Sequence, residues 1–293
     1  MTGSISQETA RHREDTAGNV SAYPVALTIA GFDPSSGAGI TADLKTFAAH
    51  GVYGVACISA ITVQSTLGVR SVEVLSPELA RQTLNCLAED LTLSGVKVGM
   101  LGSSAMVREV VSFLTAGDNR VERGRVVLDP ILISTSGRPL LDAEGVLLLQ
   151  QRLLACVGWI TPNLSELSAL TATGPIGLDE VPAAAVRLKE AAARLGNEEL
   201  NVVVTGGHLR RPDDFLLASN GEEFWFPGEQ IHTNATHGTG CAFSSALLCG
   251  LIGGYPPASA VARAKTYVTE ALRSAYPIGK GRGPMNHLFR LNK

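Results

Sequence analysis

The chain has 293 residues, 45% of them hydrophobic, enough for one large α/β domain or two small ones with a sizeable core. A formal net charge of -3 supplies no basic field to draw it to nucleic acid or to an anionic membrane surface, so a small-molecule partner is expected. Five cysteines without a CxxC pair fit a reduced, cytoplasmic setting.

Residues 1–23 mix polar and charged types around Arg11, Arg13, Glu14 and Asp15, lack the apolar stretch of a signal peptide and read as a disordered polar tail. No repeat, low-complexity tract or Pro/Ser-rich linker follows, so a single domain is expected over 24–293. A first strand over 26–30 leads into Ala30-Gly31-Phe32-Asp33-Pro34-Ser35-Ser36-Gly37-Ala38-Gly39 and then a helix over 42–50. Gly37, Ala38, Gly39 and Ala42 satisfy G-x-G-x-x-A, but a dinucleotide turn puts its first glycine directly after the strand and an acidic residue about 20 positions on. Here Asp33-Pro34 intervenes and Cys57-Ile58-Ser59-Ala60 fills the acidic place, so a substrate loop is the better reading and an NAD-dependent oxidoreductase is disfavoured. Asp43 is expected in the helix's first turn, where the dipole favours a carboxylate, and alone it signals only helix-end electrostatics. A strand over 55–63 ends at Gln64, whose amide offers a donor and an acceptor to a heterocycle edge.

Strands over 96–100, 126–131, 159–161 and 202–205 then alternate with helices over 77–90, 106–116, 142–155 and 183–195. This alternation predicts a mostly parallel sheet covered by helices, with ligand loops at the carboxyl ends of its strands. In Thr161-Pro162-Asn163-Leu164-Ser165-Glu166, Asn163 and Glu166 share one face of a first helical turn. Their oxygens suit hydrated Mg²⁺. The same spacing makes a capping box, and spacing alone favours the cap. Asn220-Gly221, between apolar runs over 215–226, predicts an antiparallel edge hairpin.

Asn234-Ala235-Thr236-His237-Gly238-Thr239-Gly240-Cys241 carries the most information. It enters a stretch, 238–262, with no charged residue, too broken by Gly253-Gly254 and Pro256-Pro257 to span a bilayer. A buried helix ending near Leu251 is expected. Gly238, Thr239 and Gly240 at its start can turn backbone N–H groups towards an anion, forming a phosphate cradle and oxyanion hole. The absence of G-K-[ST] excludes a Walker loop. Cys241 lies in the first turn, where a helix dipole is expected to lower a thiol pKa, although a lone cysteine is more often buried and inert. A cysteine–histidine nucleophile with His237 would lack a third, orienting group.

Together with Ala42-Asp43-Leu44-Lys45-Thr46, Val98-Gly99-Met100, Leu128-Asp129-Pro130, Gly206-Gly207-His208, and Gly283-Pro284 with His287, these motifs resemble the hydroxymethylpyrimidine/phosphomethylpyrimidine kinases of thiamin biosynthesis. The resemblance runs from Ala26 to Phe289. It implies a ribokinase-like three-layer α/β/α sandwich, with ATP and Mg²⁺ as cofactors, a pyrimidine substrate and a homodimer. Gly31, Asp43, Gln64, Met100 and Ile131 would line the pyrimidine pocket, with Gln64 and Asp43 at the ring edge. Cys241 would be the base, over amides of Gly238, Thr239 and Gly240. Asn163 and Glu166 would organise Mg²⁺, with Thr205, Gly207 and His237 on the nucleotide side. Thr205 stands where the family commonly has lysine, and Lys280 and Arg282 where it often has histidines. A pyridoxal-type kinase of the same superfamily and a silent pyrimidine-binding protein are the alternatives.

Overall fold

The computed structural model describes residues 23–116, 121–134, 137–207 and 212–291. The tail expected over 1–23 therefore lies, except for Tyr23, outside the described residues, as do His208 and residues 135–136.

The most apolar runs form the middle of one nine-stranded sheet. In chain order its strands are β1 (Val25–Phe32), β2 (Tyr53–Ser65), β3 (Gly68–Val74), β4 (Gly95–Val98), β5 (Val126–Leu128), β6 (Trp159–Ile160), β7 (Asn201–Val204), β8 (Asp214–Leu217) and β9 (Glu223–Phe226). The spatial order is β3-β2-β1-β4-β5-β6-β7-β8-β9. The six strands from β2 to β7 in that order run parallel, while the pairings of β3 with β2 at one edge, and of β7 with β8 and β8 with β9 at the other, are antiparallel. The interior of β1 and the whole of β4, β5 and β7 are buried, as central strands covered on both faces must be.

Among the described residues, eight α-helices cover the faces: α1 (Gly39–Ala49), α2 (Pro77–Asp90), α3 (Ser104–Thr115), α4 (Ala143–Gln151), α5 (Leu164–Thr171), α6 (Val181–Ala193), α7 (Thr239–Ile252) and α8 (Pro257–Arg273). One core joins α2 to α6 to the sheet through Leu84, Met106, Leu149, Leu167 and Leu188. The other joins α1, α7 and α8 through Phe47, Leu247 and Tyr267. These two cores make the three layers. α7, apolar nearly all round, is wedged between α8, α1, β4 and β5, which is why it carries no charge.

Several boundaries differ from the sequence expectation. α1 begins at Gly39, because Ala38 is still extended, so Asp43 falls beyond the first turn. The region 142–155 splits into α4 and a 3₁₀ turn, Leu153–Ala155. β3 and α8 were not expected. The chain goes from β1 to β2 on one side and returns to β4 on the other. This reversal opens a crevice at the carboxyl ends of β1 and β4, where open α/β sheets bind ligands.

Candidate active site

That crevice is a cavity of about 570 Å³, lined by Gly31, Gln64, Met100 and Ile131, by Asn163, Glu166, Thr205 and Gly207, and by His237 to Cys241. Gly31 lies at its floor against Met100, whose Sδ a Cβ there would meet at 2.9 Å.

Asp33 organises the loop after β1. Its carboxylate accepts from Ser35 N (2.8 Å), Ser35 Oγ (2.7 Å), Gly37 N (3.1 Å) and Ala38 N (2.9 Å). His237 Nε2 stands 2.8 Å from Asp33 Oδ2, tying this loop to the turn before α7. Burial alone would raise the Asp33 pKa, but hydrogen bonds from His237 and Ser35 hold it at about 2. Ser36 has a left-handed φ of 61°, and Lys45 Nζ donates to its carbonyl at 2.8 Å. The sequence had marked Asp33 only as an interruption of a glycine pattern.

α7 starts from Gly238, at a φ of 81°, and among the described residues no side chain caps it. The first-turn amides and the positive dipole end thus face the cleft, as an anion cradle requires.

Beneath this turn lies a buried charge cluster. Lys97 is fully buried, with Nζ 3.0 Å from Asp43 and 3.8 Å from Asp129. Asp43 also accepts from Thr28 Oγ1 (2.6 Å) and Ser245 Oγ (2.8 Å). The carboxylate expected at the ring edge is therefore consumed inside the protein and does not line the cleft, because α1 turns it inward onto β1, β4 and α7. Lys97 stays charged despite burial, held by Asp43 and Asp129. A lysine between Val96 and Val98 in a buried strand was the available signal, since an isolated buried ammonium is too costly to keep.

Cys241 also departs from expectation. Burial pushes its thiol up to about 12, with Lys97 opposing and Asp129 and Asp43 adding to the rise. The group is a thiol near neutral pH and not the dipole-activated thiolate expected: desolvation outweighs the helix dipole. It lies near Asp129 and Asp43, and burial raises the Asp129 pKa as well.

Asn163 and Glu166 form the capping box: Glu166 N donates to Asn163 Oδ1 at 3.0 Å and Asn163 N to Glu166 Oε2 at 2.9 Å. Burial, reinforced by Asp129, raises the Glu166 pKa to about 8. Two buried carboxylates, Asp129 and Glu166, thus face one cleft: burial raises both, Asp43 adds to the rise at Asp129 and Asp129 to that at Glu166. Among the described residues, no three His, Cys, Asp or Glu side chains are grouped to hold a metal. Where lysine is commonly expected, Thr205 pairs with Asn163 across an isolated parallel bridge. Arg282 reaches the cleft, and so does Lys265, which is ion-paired to Asp214 at 2.8 Å.

A profile of the family described as phosphomethylpyrimidine kinase matches residues 33–286. A Rhizobium meliloti protein named hydroxymethylpyrimidine/phosphomethylpyrimidine kinase is 40% identical over 269 residues, 91% of this chain and 97% of that one. A phosphomethylpyrimidine kinase structure from Clostridium difficile superposes with a TM-score of 0.72 at 35% identity, covering 85% of this chain and 99% of the other. The ADP complex of Bacillus subtilis pyridoxal kinase gives a TM-score of 0.80 at 29% identity, covering 92% and 100%. The sheet and its edge hairpin are thus the ribokinase-like sandwich expected from the motifs, and the chain belongs to the phosphomethylpyrimidine kinase family of phosphotransferases.

Proposed function

We propose that the chain uses ATP and Mg²⁺ to phosphorylate 4-amino-5-hydroxymethyl-2-methylpyrimidine, its monophosphate, or both, in thiamin biosynthesis. The observation that carries this reading is one cleft that holds both an amide at its apolar end, Gln64 beside Met100 and Ile131, and an uncapped helix N-terminus. Gly31, Met100 and Ile131 sandwich a flat ring, and Gln64 meets its edge. Amides of Gly238, Thr239 and Gly240 hold the transferring phosphoryl group. Asn163 and Glu166 would hold Mg²⁺ through its waters, while Thr205, Gly207 and His237 border the nucleotide. Bound there, the metal neutralises phosphate charge, the main demand of phosphoryl transfer.

Cys241 works in this scheme as a neutral thiol. As the substrate oxygen attacks, the thiol accepts the hydroxyl proton and passes its own to the neighbouring Asp129. The monophosphate, an anion near neutral pH, needs no such proton transfer.

A cytoplasmic homodimer belongs to the same proposal. All five cysteines are free, and Ile61 and Val63 are exposed on the antiparallel extension of β2. The test is purified protein with ATP, Mg²⁺ and, separately, the hydroxymethylpyrimidine, its monophosphate and pyridoxal. Phosphorylation of either pyrimidine in preference to pyridoxal is expected. Exclusive use of pyridoxal, or pyrimidine binding without ATP turnover, would overturn the reading.

A further inference from the structure

Two hydrogen-bond conflicts meet at Gln64. Its Nε2 stands 2.9 Å from His237 Nε2, which itself stands 2.8 Å from Asp33 Oδ2. A ring nitrogen beside an ionised carboxylate must carry its proton, and it then cannot accept from an NH₂ group. Asp33 is ionised, since its pKa lies at about 2. The second conflict is at Thr62, whose single hydroxyl proton faces two acceptors at 3.1 Å, the Phe32 carbonyl and Gln64 Oε1.

One half-turn of the amide removes both conflicts. An amide's oxygen and nitrogen are nearly isosteric, and its partners decide its orientation. With Oε1 towards His237, the ring N–H is shared between Asp33 and Gln64. With Nε2 towards Thr62, the amide donates to Oγ1, which donates onward to Phe32. Thr62 and Asp33 are both buried, so neither can turn to water for relief.

We infer that Gln64 presents its oxygen on the His237 side and its nitrogen on the Thr62 side, and that Asp33, His237 and Thr62 thereby determine which way round an aminopyrimidine lies in the cleft. The inference rests on the pyrimidine-kinase reading and deepens it. In that substrate the amine lies on the carbon next to the one bearing the hydroxymethyl, and an acceptor ring nitrogen lies on the amine's other side. Gln64 Oε1 accepts from the amine, and the second N–H of Nε2 donates to the ring nitrogen. Because His237 adjoins Gly238, the hydroxymethyl is then on the side of the glycine turn and Cys241. An amide turned the other way would send it away from them. Asp33, His237 and Thr62 are positioning residues in this scheme, acting through Gln64.

The test compares the aminopyrimidine with the corresponding pyrimidinone, in which a ring N–H and a carbonyl exchange donor for acceptor. The wild-type protein should prefer the amine by ~10²-fold or more in kcat/KM, since a site built for one polarity leaves its groups unpaired against the other. Thr62→Val should lower that preference by ~10-fold, chiefly through KM, and Thr62→Ser should keep it. Nitrogen-15 spectroscopy of the wild-type protein should find a proton on His237 Nε2. An unprotonated Nε2, or a preference untouched by Thr62→Val while the amine is still phosphorylated, overturns the polarity inference alone. Failure to bind either pyrimidine overturns it together with the kinase reading.

Discussion

Gly238 and Gly37 touch backbone to backbone: a Cβ built on Gly238 would lie 1.9 Å from the Gly37 carbonyl oxygen. Gly37 in turn has no room for a side chain, since its own Cβ would meet His237 Cδ2 at 2.3 Å. The loop after β1 and the turn before α7 therefore form one surface, far apart in sequence and locked by the Asp33–His237 pair. A ring held by one and a phosphoryl group held by the other keep a common frame.

Gly238→Ala should break that frame. The left-handed φ costs a residue with a Cβ about 1–2 kcal/mol, and the clash displaces one loop from the other. A displacement of an ångström in a phosphoryl-transfer site costs ~10²-fold in rate. Activity should thus fall far more than thermal stability, as kcat and melting temperature of the same preparation would reveal. A variant that keeps wild-type kcat would contradict the assigned contact.

The layers, the parallel strands, the edge hairpin and the glycine turn were legible because each rests on a local pattern: apolar period, Asn-Gly, or paired glycines before an apolar helix. The place of Gln64, Asn163 and Glu166 at the cleft was legible for the same reason, since they stand where strands end. Asp43 and Cys241 were misread because their fate depends on burial, which no local window contains. Asp43 points inward because α1 starts at Gly39, and Cys241 is desolvated because α7 is covered on all sides. Lys97 passed unnoticed because its partners, Asp43 and Asp129, come from distant parts of the chain.

Lys97→Met should be strongly destabilising. It leaves Asp43 and Asp129 facing each other in the core without a cation, and removal of one member of a buried ion pair costs about 3–5 kcal/mol. Adding Asp43→Asn to the same protein should recover part of the loss. Urea midpoints of the single and double variants decide this. Equal midpoints for wild type and Lys97→Met would mean that the cluster carries no net stabilisation.

Glu166 should impose a pH dependence on stability. The folded-state pKa is raised to about 8, first by burial and then by Asp129, while a free glutamate ionises at about 4.3. Between those values the folded protein holds a proton that the unfolded chain has released, so this group's contribution falls as pH rises and levels off above about 8. Glu166→Gln should flatten that fall, yet keep the cap, since glutamine also serves a capping box. Mg²⁺-dependent turnover should weaken in the same variant. Melting temperatures across this pH range, with and without the substitution, test the first part. A lowered melting temperature with unchanged slope and unchanged Mg²⁺ dependence would leave Glu166 as a cap only.

Cys241 should behave as a proton-passing thiol and not as a nucleophile. Burial holds its pKa at about 12, so little thiolate exists at neutral pH. Alkylation by iodoacetamide should therefore be slow near pH 7 and should rise only in strong alkali. Cys241→Ala removes the relay and should slow phosphorylation of the hydroxymethyl substrate by ~10²–10⁴-fold, the usual worth of general-base assistance. Cys241→Ser keeps a group able to accept one proton and give up another, so it should retain more activity than alanine. Asp129→Asn should resemble the alanine variant, because the terminal acceptor is gone. For the monophosphate, whose oxygen is already anionic, all three losses should be smaller, provided the Gly238–Gly240 amides still hold the phosphoryl group. Steady-state kinetics of the three variants on both substrates, with mass spectrometry of the wild-type protein after turnover, separate the possibilities. Fast alkylation at neutral pH, a phosphocysteine, or equal losses on the two substrates would each remove the relay from the mechanism.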